Sequence, residues 1–278
     1  MDNSKAKSLE EKSRYIRSLI VEAIGNLGVG HIGGCLSVVE ALVVLYYEHM
    51  NIDPGNPQME GRDRFIMSKG HAGPALYAVL ADKGFFSTCE LDTLNKPETN
   101  LPSHCDMLRT RGVDMTAGSL GQGISCAAGM AKAAKINQDN AYIYCMIGDG
   151  ESQEGQVWEA AMAAAHFKLN NLIVFTDYNK LQIDGTIEEV MGLAPLDKKW
   201  EAFGWNVINV PDGHSVIEIS DAVIKAKTSQ NKPTMILLNT VKGKGVSFAE
   251  ALGVKNHNTP ITKDQMYQAL EELRQGGM

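Results

Sequence analysis

Cysteine is scarce and unpaired in this chain: five residues, an odd number, with no Cys-x-x-Cys among them. They stand singly in apolar or loop surroundings, which excludes a disulfide framework and leads us to expect buried thiols in a reducing, cytoplasmic setting. Positive charge is also short, with Lys plus Arg at 26 against Asp plus Glu at 33, a formal net charge of −7 and no block of like charge. That balance argues against a nucleic-acid or membrane-surface partner. No uninterrupted apolar run approaches the roughly eighteen residues that cross a bilayer. The best candidate, Cys35 to Tyr47, is broken by Glu40, and the polar N-terminus carries no secretory signal. Pro/Gly/Ser-rich linkers, repeats and low-complexity tracts are missing as well. What the chain does have is 44% apolar and 21% charged residues over 278 positions, enough for a packed core and unlike a disordered scaffold. We read residues 1–278 as one domain.

Ser8-Leu9-Glu10-Glu11 has the capping-box form, and Ile16, Ile20, Ile24 and Leu27 follow at helical spacing until Gly28. Ser37-Val38-Val39-Glu40 repeats the box before Leu42, Val43 and Tyr46, with Pro54 and Pro57 as the stop. An N-terminal helical segment over about 8–50 is therefore expected. Short apolar runs then alternate with helical patterns, the grammar of an α/β fold whose parallel sheet carries helices on both faces. Expected strands are 64–67, 142–147, 172–176, 205–210 and 234–239; expected helices are 72–83, 121–137, 156–168, 215–229 and a C-terminal one within about 262–275.

Ligands of open parallel sheets bind beyond the carboxyl ends of the strands. The segments found there are Ser68-Lys69-Gly70-His71, Gly148-Asp149-Gly150, Asp177-Tyr178-Asn179 and Thr240 to Gly245. Asp149 and Asn179 end neighbouring strands in sequence and offer one carboxylate and one amide oxygen to a hard cation. Mg²⁺ takes few protein carboxylates and fills its octahedron with phosphate oxygens and water, so this pair suits a metal–diphosphate. Gly148 and Gly150 let the backbone approach phosphate oxygens without a Cβ between. Gly28-Val29-Gly30-His31-Ile32-Gly33 spells a dinucleotide fingerprint, but a helix and no strand precedes it, so the pyrophosphate geometry is lacking.

Five of the seven histidines, His31, His71, His104, His214 and His257, sit in loops beside Gly, Ser, Asn or Pro, where imidazole can carry protons near neutral pH. A zinc site is the rival, without any H-x-x-x-H or H-x-H pair to favour it. His49 and His166 read as helix residues with packing or surface roles. The Gly118-Ser119-Leu120-Gly121-Gln122-Gly123 entry to a helix is either close packing by small residues or a backbone cradle for a ligand. Lys242-Gly243-Lys244-Gly245 reads slightly better as a solvated turn than as a phosphate loop.

With these segments together, residues from about Arg14 to His257 closely resemble the thiamine-diphosphate-binding half of transketolase. The carriers are Gly148-Asp149-Gly150 followed by Asn179-Lys180-Leu181-Gln182-Ile183-Asp184-Gly185, Arg62 to His71, Leu101-Pro102-Ser103-His104 and Gly118 to Gly123. The resemblance implies thiamine diphosphate and a divalent cation, Mg²⁺ or in its place Ca²⁺ or Mn²⁺, held by Asp149, Asn179 and the main-chain carbonyl of Leu181. It implies that His31, His71, His104 and His257 line a sugar channel, that Gly118, Leu120 and His71 border the cofactor, and that Glu154 and Glu159 lie near a subunit interface tied to cofactor activation. Ile32 and Cys105 stand where the family often has proline, which bears on substrate preference.

The implied reaction moves a two-carbon ketol unit from a ketose to an aldose, as sugars or sugar phosphates. The family's pyrimidine-binding domain has no counterpart here, so the resemblance implies a split enzyme: this N-terminal subunit with a C-terminal transketolase subunit, two copies of each. The alternatives are a catalytically silent scaffold and a subunit of a deoxyxylulose-phosphate-synthase-like or dihydroxyacetone-synthase-like enzyme.

Overall fold

The computed structural model describes residues 1–276; positions 277 and 278 of the expected domain lie outside the described residues. α1 (Asn3–Leu27) begins five residues before the expected box, because Asp2 is the cap and its carboxylate accepts from the Lys5 N–H at 2.8 Å. Ile16, Ile20 and Ile24 form its buried stripe, and Gly28, at φ 88°, ends it as expected. β1 (Val29–Gly30) then pairs antiparallel with β7 (Thr259–Pro260) near the other end of the chain.

The helix expected from Ser37 is instead α2 (Ile32–Leu36), α3 (Val39–Val44) and a π-helical turn over Leu45–His49. The Ser37 side chain caps no helix N-terminus, since its hydroxyl donates to Asp177 at 2.7 Å, and Glu40 pairs with Arg17. This apolar stretch lies mostly inside the protein.

β2 (Arg64–Met67), β3 (Ile143–Gly148), β4 (Leu172–Tyr178), β5 (Asn206–Val210) and β6 (Thr234–Asn239) form one parallel sheet in the order β2-β3-β4-β6-β5. Alternate residues serve opposite faces. Tyr144, Met146, Ile173, Phe175, Ile236 and Leu238 belong to the core shared with α1, α3, α4 (Gly73–Asp82), α9 (Val216–Lys227) and α11 (Lys263–Arg274). Ile143, Cys145, Ile147, Leu172, Val174, Met235 and Leu237 pack on the other side against α5 (Gln122–Ile136), α6 (Gly155–His166) and α8 (Leu196–Ala202). Both faces being covered explains why these strands read as apolar runs without polar alternation.

α7 (Ile187–Met191), α8 and α10 (Ser247–Ala251) are short helices that the sequence reading passed over. β4 extends two residues beyond the expected end, so Asp177 and Tyr178 are strand residues and Asn179 opens the loop. The cysteines correct one expectation: Cys35, Cys105 and Cys145 are buried, but Cys126 is half-buried and Cys89 exposed.

Candidate active site

The carboxyl ends of β2, β3, β4 and β6 meet at a crevice of about 210 Å³ that takes in His71, Leu120, Asp149, Glu154, Asn179, Leu181, Lys242 and His257. Its oxygen-rich wall is the turn after β3 facing the turn after β4. Asp149, almost fully buried, accepts from the Gly150 N–H at 2.7 Å through one oxygen and from the Lys180 N–H through the other. Burial, aided by the negative charge of Asp177, pushes its carboxyl up to about 7 despite those two donors. Asn179 accepts from the Leu181 N–H at 3.1 Å and donates to Asp177 at 3.0 Å. The Leu181 carbonyl lies 3.5 Å from Lys242 Nζ.

Among the described residues no group of three or more His, Cys, Asp or Glu side chains is disposed to hold a metal. Asp149, Asn179 and the Leu181 carbonyl offer instead one carboxylate, one amide and one main-chain oxygen on a single wall, a donor set that fits a hard cation completed by phosphate and water.

Four of the expected histidines converge in one cluster, of which His71 and His257 line the crevice. The His31 ring centroid lies 5.3 Å from His71, 5.6 Å from His104 and 5.3 Å from His257, and His71 is 4.9 Å from His257. Burial pulls His31 and His257 down to about 4, with nearby cationic or imidazole neighbours adding to it. His71 is lowered well below its ordinary value by burial and then by Lys69, and His104 is lowered by burial. All four rings are therefore neutral at pH 7 and can each donate and accept a hydrogen bond. His104 Nδ1 is engaged with Ser103 Oγ at 3.0 Å, and His257 Nδ1 faces Lys242 Nζ at 3.5 Å, which leaves the Nε2 atoms of both for a ligand.

His214 does not join them. Its Nε2 accepts from the Val241 N–H at 2.8 Å, so its proton sits on Nδ1 and is donated to Glu40 at 3.0 Å. Burial alone would raise Glu40, but Arg17 and His214 hold it down at about 2. Arg17 also donates to the Lys244 carbonyl at 2.8 Å and so fixes the turn after β6. That turn corrects the solvated-turn reading. Gly243 and Gly245 do adopt φ 88° and 84°, but Lys242 is buried in the crevice, while Lys244 lines a separate surface groove with Ser247 and Glu272.

The Gly118–Gly123 segment is closely packed at one end and open at the other. An added Cβ at Gly123 would lie 2.4 Å from Ser68 Oγ, which is close packing, whereas nothing lies within 4 Å of the corresponding position at exposed Gly118. Leu120 borders the crevice, and Gly121 at φ 85° starts α5. Glu154 reaches the crevice rim; Glu159, exposed on α6, lies in a shallow groove with Lys132 and Phe167.

Sequence reasoning missed four residues here. Lys69 and Asp177 form a buried ion pair beneath the oxygen wall. Buried Glu151 accepts from Gly121 N–H at 2.9 Å, Gly148 N–H at 3.0 Å and the Ser68 hydroxyl, tying three loops together. Ile183, exposed, forms an apolar edge of the crevice. A signal existed for the first three, each a charged residue within four positions of an apolar strand's carboxyl end.

Residues 9–275 match the family model for the transketolase thiamine diphosphate binding domain. The chain is 55% identical over 269 residues to the 6-deoxy-6-sulfo-D-fructose transketolase subunit SqwG of Clostridium sp. (strain MSTE9), covering 97% of both chains. It is 39% identical to an apulose-4-phosphate transketolase subunit of Phocaeicola vulgatus, over 96% of this chain and 94% of that one. Among solved structures, the transketolase of Campylobacter jejuni superposes with a TM-score of 0.90 at 31% identity, over 99% of this chain but 43% of that one. The fold, the site at the strand ends and these matches agree: the chain belongs to the transketolase family and carries its thiamine diphosphate binding domain.

Proposed function

We propose that this chain is the diphosphate-holding, N-terminal subunit of a two-chain transketolase, transferring a two-carbon ketol unit between sugars. The observation that carries the reading is a cluster of four neutral imidazoles, two of which, His71 and His257, line one crevice with Asp149, Asn179 and Leu181. A scaffold has no need of that ring of donors and acceptors. In this reading Asp149, Asn179 and the Leu181 carbonyl hold Mg²⁺, and the backbone at Gly118, Gly148 and Gly150 approaches the diphosphate. Lys242 adds positive charge, kept down at about 8 by burial and by Lys69. Leu120, Ile183, His71 and Glu154 border the cofactor, which when bound supplies the nucleophilic carbon that accepts the two-carbon unit.

His31, His104 and His257 hydrogen-bond the sugar hydroxyls, and Nε2 of His104 and of His257 is free to give a proton to an alkoxide or take one from a hydroxyl. Glu154 and Glu159, both exposed, face neighbouring chains. The partner supplies the pyrimidine-binding domain, in an assembly of two copies of each in the cytoplasm, and the reaction belongs to pentose phosphate or related sugar metabolism. Two of the relatives named above are transketolase subunits for 6-deoxy-6-sulfo-D-fructose and apulose 4-phosphate, ketoses that bear a sulfonate or a phosphate, so the donor proposed here is a ketose with such an anionic group.

The test is ketol transfer by this chain with its co-purified partner, offered 6-deoxy-6-sulfo-D-fructose or xylulose 5-phosphate with an aldose phosphate acceptor. Transfer from at least one ketose is expected. Condensation of pyruvate with glyceraldehyde 3-phosphate in its place would identify a synthase, and no turnover with any pair would leave only a scaffold.

A further inference from the structure

We infer that Asp177, neutralised by Lys69, is a positioning residue that fixes which way the Asn179 amide faces and so makes Asn179 a cation ligand. The inference rests on the proposed reading in which Asp149, Asn179 and Leu181 hold a divalent cation.

Asp177 lies near the end of β4, fully buried, hydrogen-bonded in register beside Gly148. Its Oδ2 accepts from Ser37 Oγ at 2.7 Å, from Asn179 Nδ2 at 3.0 Å and from the Lys69 ammonium, and its Oδ1 accepts from the Thr240 hydroxyl. Lys69 also donates to the Gly34 carbonyl at 3.0 Å. One carboxylate thus joins α2, β2, β4 and the end of β6, with its charge balanced inside the protein.

The consequence falls on Asn179. An amide has two faces of opposite hydrogen-bonding sense, and here both neighbours are one-sided: a carboxylate only accepts and the Leu181 N–H only donates. With Nδ2 on Asp177 and Oδ1 on the Leu181 N–H, both are satisfied. The flipped amide would set oxygen against carboxylate and NH₂ against N–H, losing both bonds. The oxygen is therefore held on the side away from Asp177, toward the crevice, before any cation arrives. Residues behind a ligand that fix its orientation are typically worth about 10–100-fold in metal affinity.

The Lys69 charge gives Asp177 its second property. An unpaired carboxylate there would stand as a competing anion behind the wall; paired with the ammonium at a fully buried position, it keeps its lone pairs for orienting work, while Asp149 accepts from backbone N–H groups and forms no ion pair with a cationic side chain.

The experiment measures Mn²⁺ uptake in the presence of thiamine diphosphate, by the electron paramagnetic resonance signal of free Mn²⁺, on the full chain. Wild type that takes up no Mn²⁺ would overturn the cation reading and this inference with it. Where wild type binds, Asp177→Leu should weaken binding by about 10–100-fold, because nothing then accepts from the Asn179 NH₂ and the amide is free to turn. The deciding comparison makes the same change in the Asn179→Asp chain. The carboxylate at position 179 has two equivalent oxygens, so orientation no longer has to be imposed, and Asp177→Leu should cost well under about tenfold there. A residue that merely braced the strands would cost the same in both chains. Asp177→Leu binding Mn²⁺ as tightly as wild type, or losing as much in the Asn179→Asp chain as in wild type, overturns the inference. Should Asp177→Leu not fold, Lys69→Met with Asp177→Leu replaces the buried ion pair in both chains and is read in the same way.

Discussion

Asp149 carries the pH dependence of the site. A carboxyl raised to about 7 by burial and by its neighbour Asp177 is largely protonated at pH 6 when no cation is present. The cation must then displace that proton. Below about pH 7 the apparent affinity for Mg²⁺ with thiamine diphosphate should fall toward about tenfold per pH unit, and above it the affinity should level off. Calorimetric titration between pH 5.5 and 8.5, in buffers of different ionisation enthalpy, should show a proton released at the acid end. Asp149→Ala should remove most of the affinity and the pH dependence together. A flat profile below pH 7 in the wild-type chain would show that Asp149 is not the ligand that matters. His31 and His257 add no titration in that window, since burial keeps them near 4, and burial and Lys69 lower His71 well below its ordinary value.

At the scale of elements, two glycines of neighbouring loops do opposite work and should respond oppositely to the same change. A Cβ on Gly70 would lie 2.3 Å from the Ala117 carbonyl oxygen, whereas one on Gly118 would meet nothing within 4 Å. Gly70→Ala forces the loop after β2 away from the segment before α5, at a cost of about 1–3 kcal/mol. Gly118→Ala should change stability by less than about 0.5 kcal/mol yet lower the affinity for thiamine diphosphate, because in the proposed function the open space in front of it is the approach to the diphosphate. Urea midpoints and cofactor titrations on the two variants separate these effects; equal losses of stability would sink the distinction.

The elements also show what was legible beforehand and why. β3 could be read together with its place at the crevice because an apolar run ends abruptly in Gly148-Asp149-Gly150, and that break sits where parallel sheets bind ligands. The Ser37-x-x-Glu40 box misled because a hydroxyl caps a helix only when no better partner exists; here Asp177, 140 residues away in sequence, takes it, and Arg17 takes Glu40. Lys242-Gly243-Lys244-Gly245 was half legible. Its glycines do make the turn, but which lysine the turn buries depends on Arg17 gripping the Lys244 carbonyl, a contact across 227 residues that no local pattern encodes. Lys69 and Asp177 stood in the strand-end segments, but their pairing escaped for the same reason, since an ion pair between separate strand ends has no spacing to recognise.

At the scale of the whole molecule, the crevice is a site with one side open. Its rim carries exposed Ile183 and Leu120, and exposed Met191 lies close by, its carbonyl accepting from Gln153. Each buried carboxylate around the crevice is already engaged: Asp149 with backbone N–H groups, Glu151 with three donors and Asp177 with Lys69. None of these buried groups is free to act on the far end of a cofactor whose diphosphate lies at Asp149. The Campylobacter jejuni transketolase, by contrast, has more than half of its chain outside the part matched here. The proposed function therefore predicts that this chain, purified free of any partner, shows no ketol transfer with saturating thiamine diphosphate, Mg²⁺ and sugars, and that turnover appears on adding a chain bearing the pyrimidine-binding domain. Covering the rim has a physical signature as well. Apolar side chains such as Ile183 and Met191 leave water when the partner docks, so amide exchange across 181–191 should slow in the complex while exchange in β3 and β4 stays unchanged. Light scattering on the active complex should give the mass of two copies of each chain. Robust turnover by the isolated chain would mean that the site completes itself, for instance across two copies of this chain, and the two-chain reading would fall.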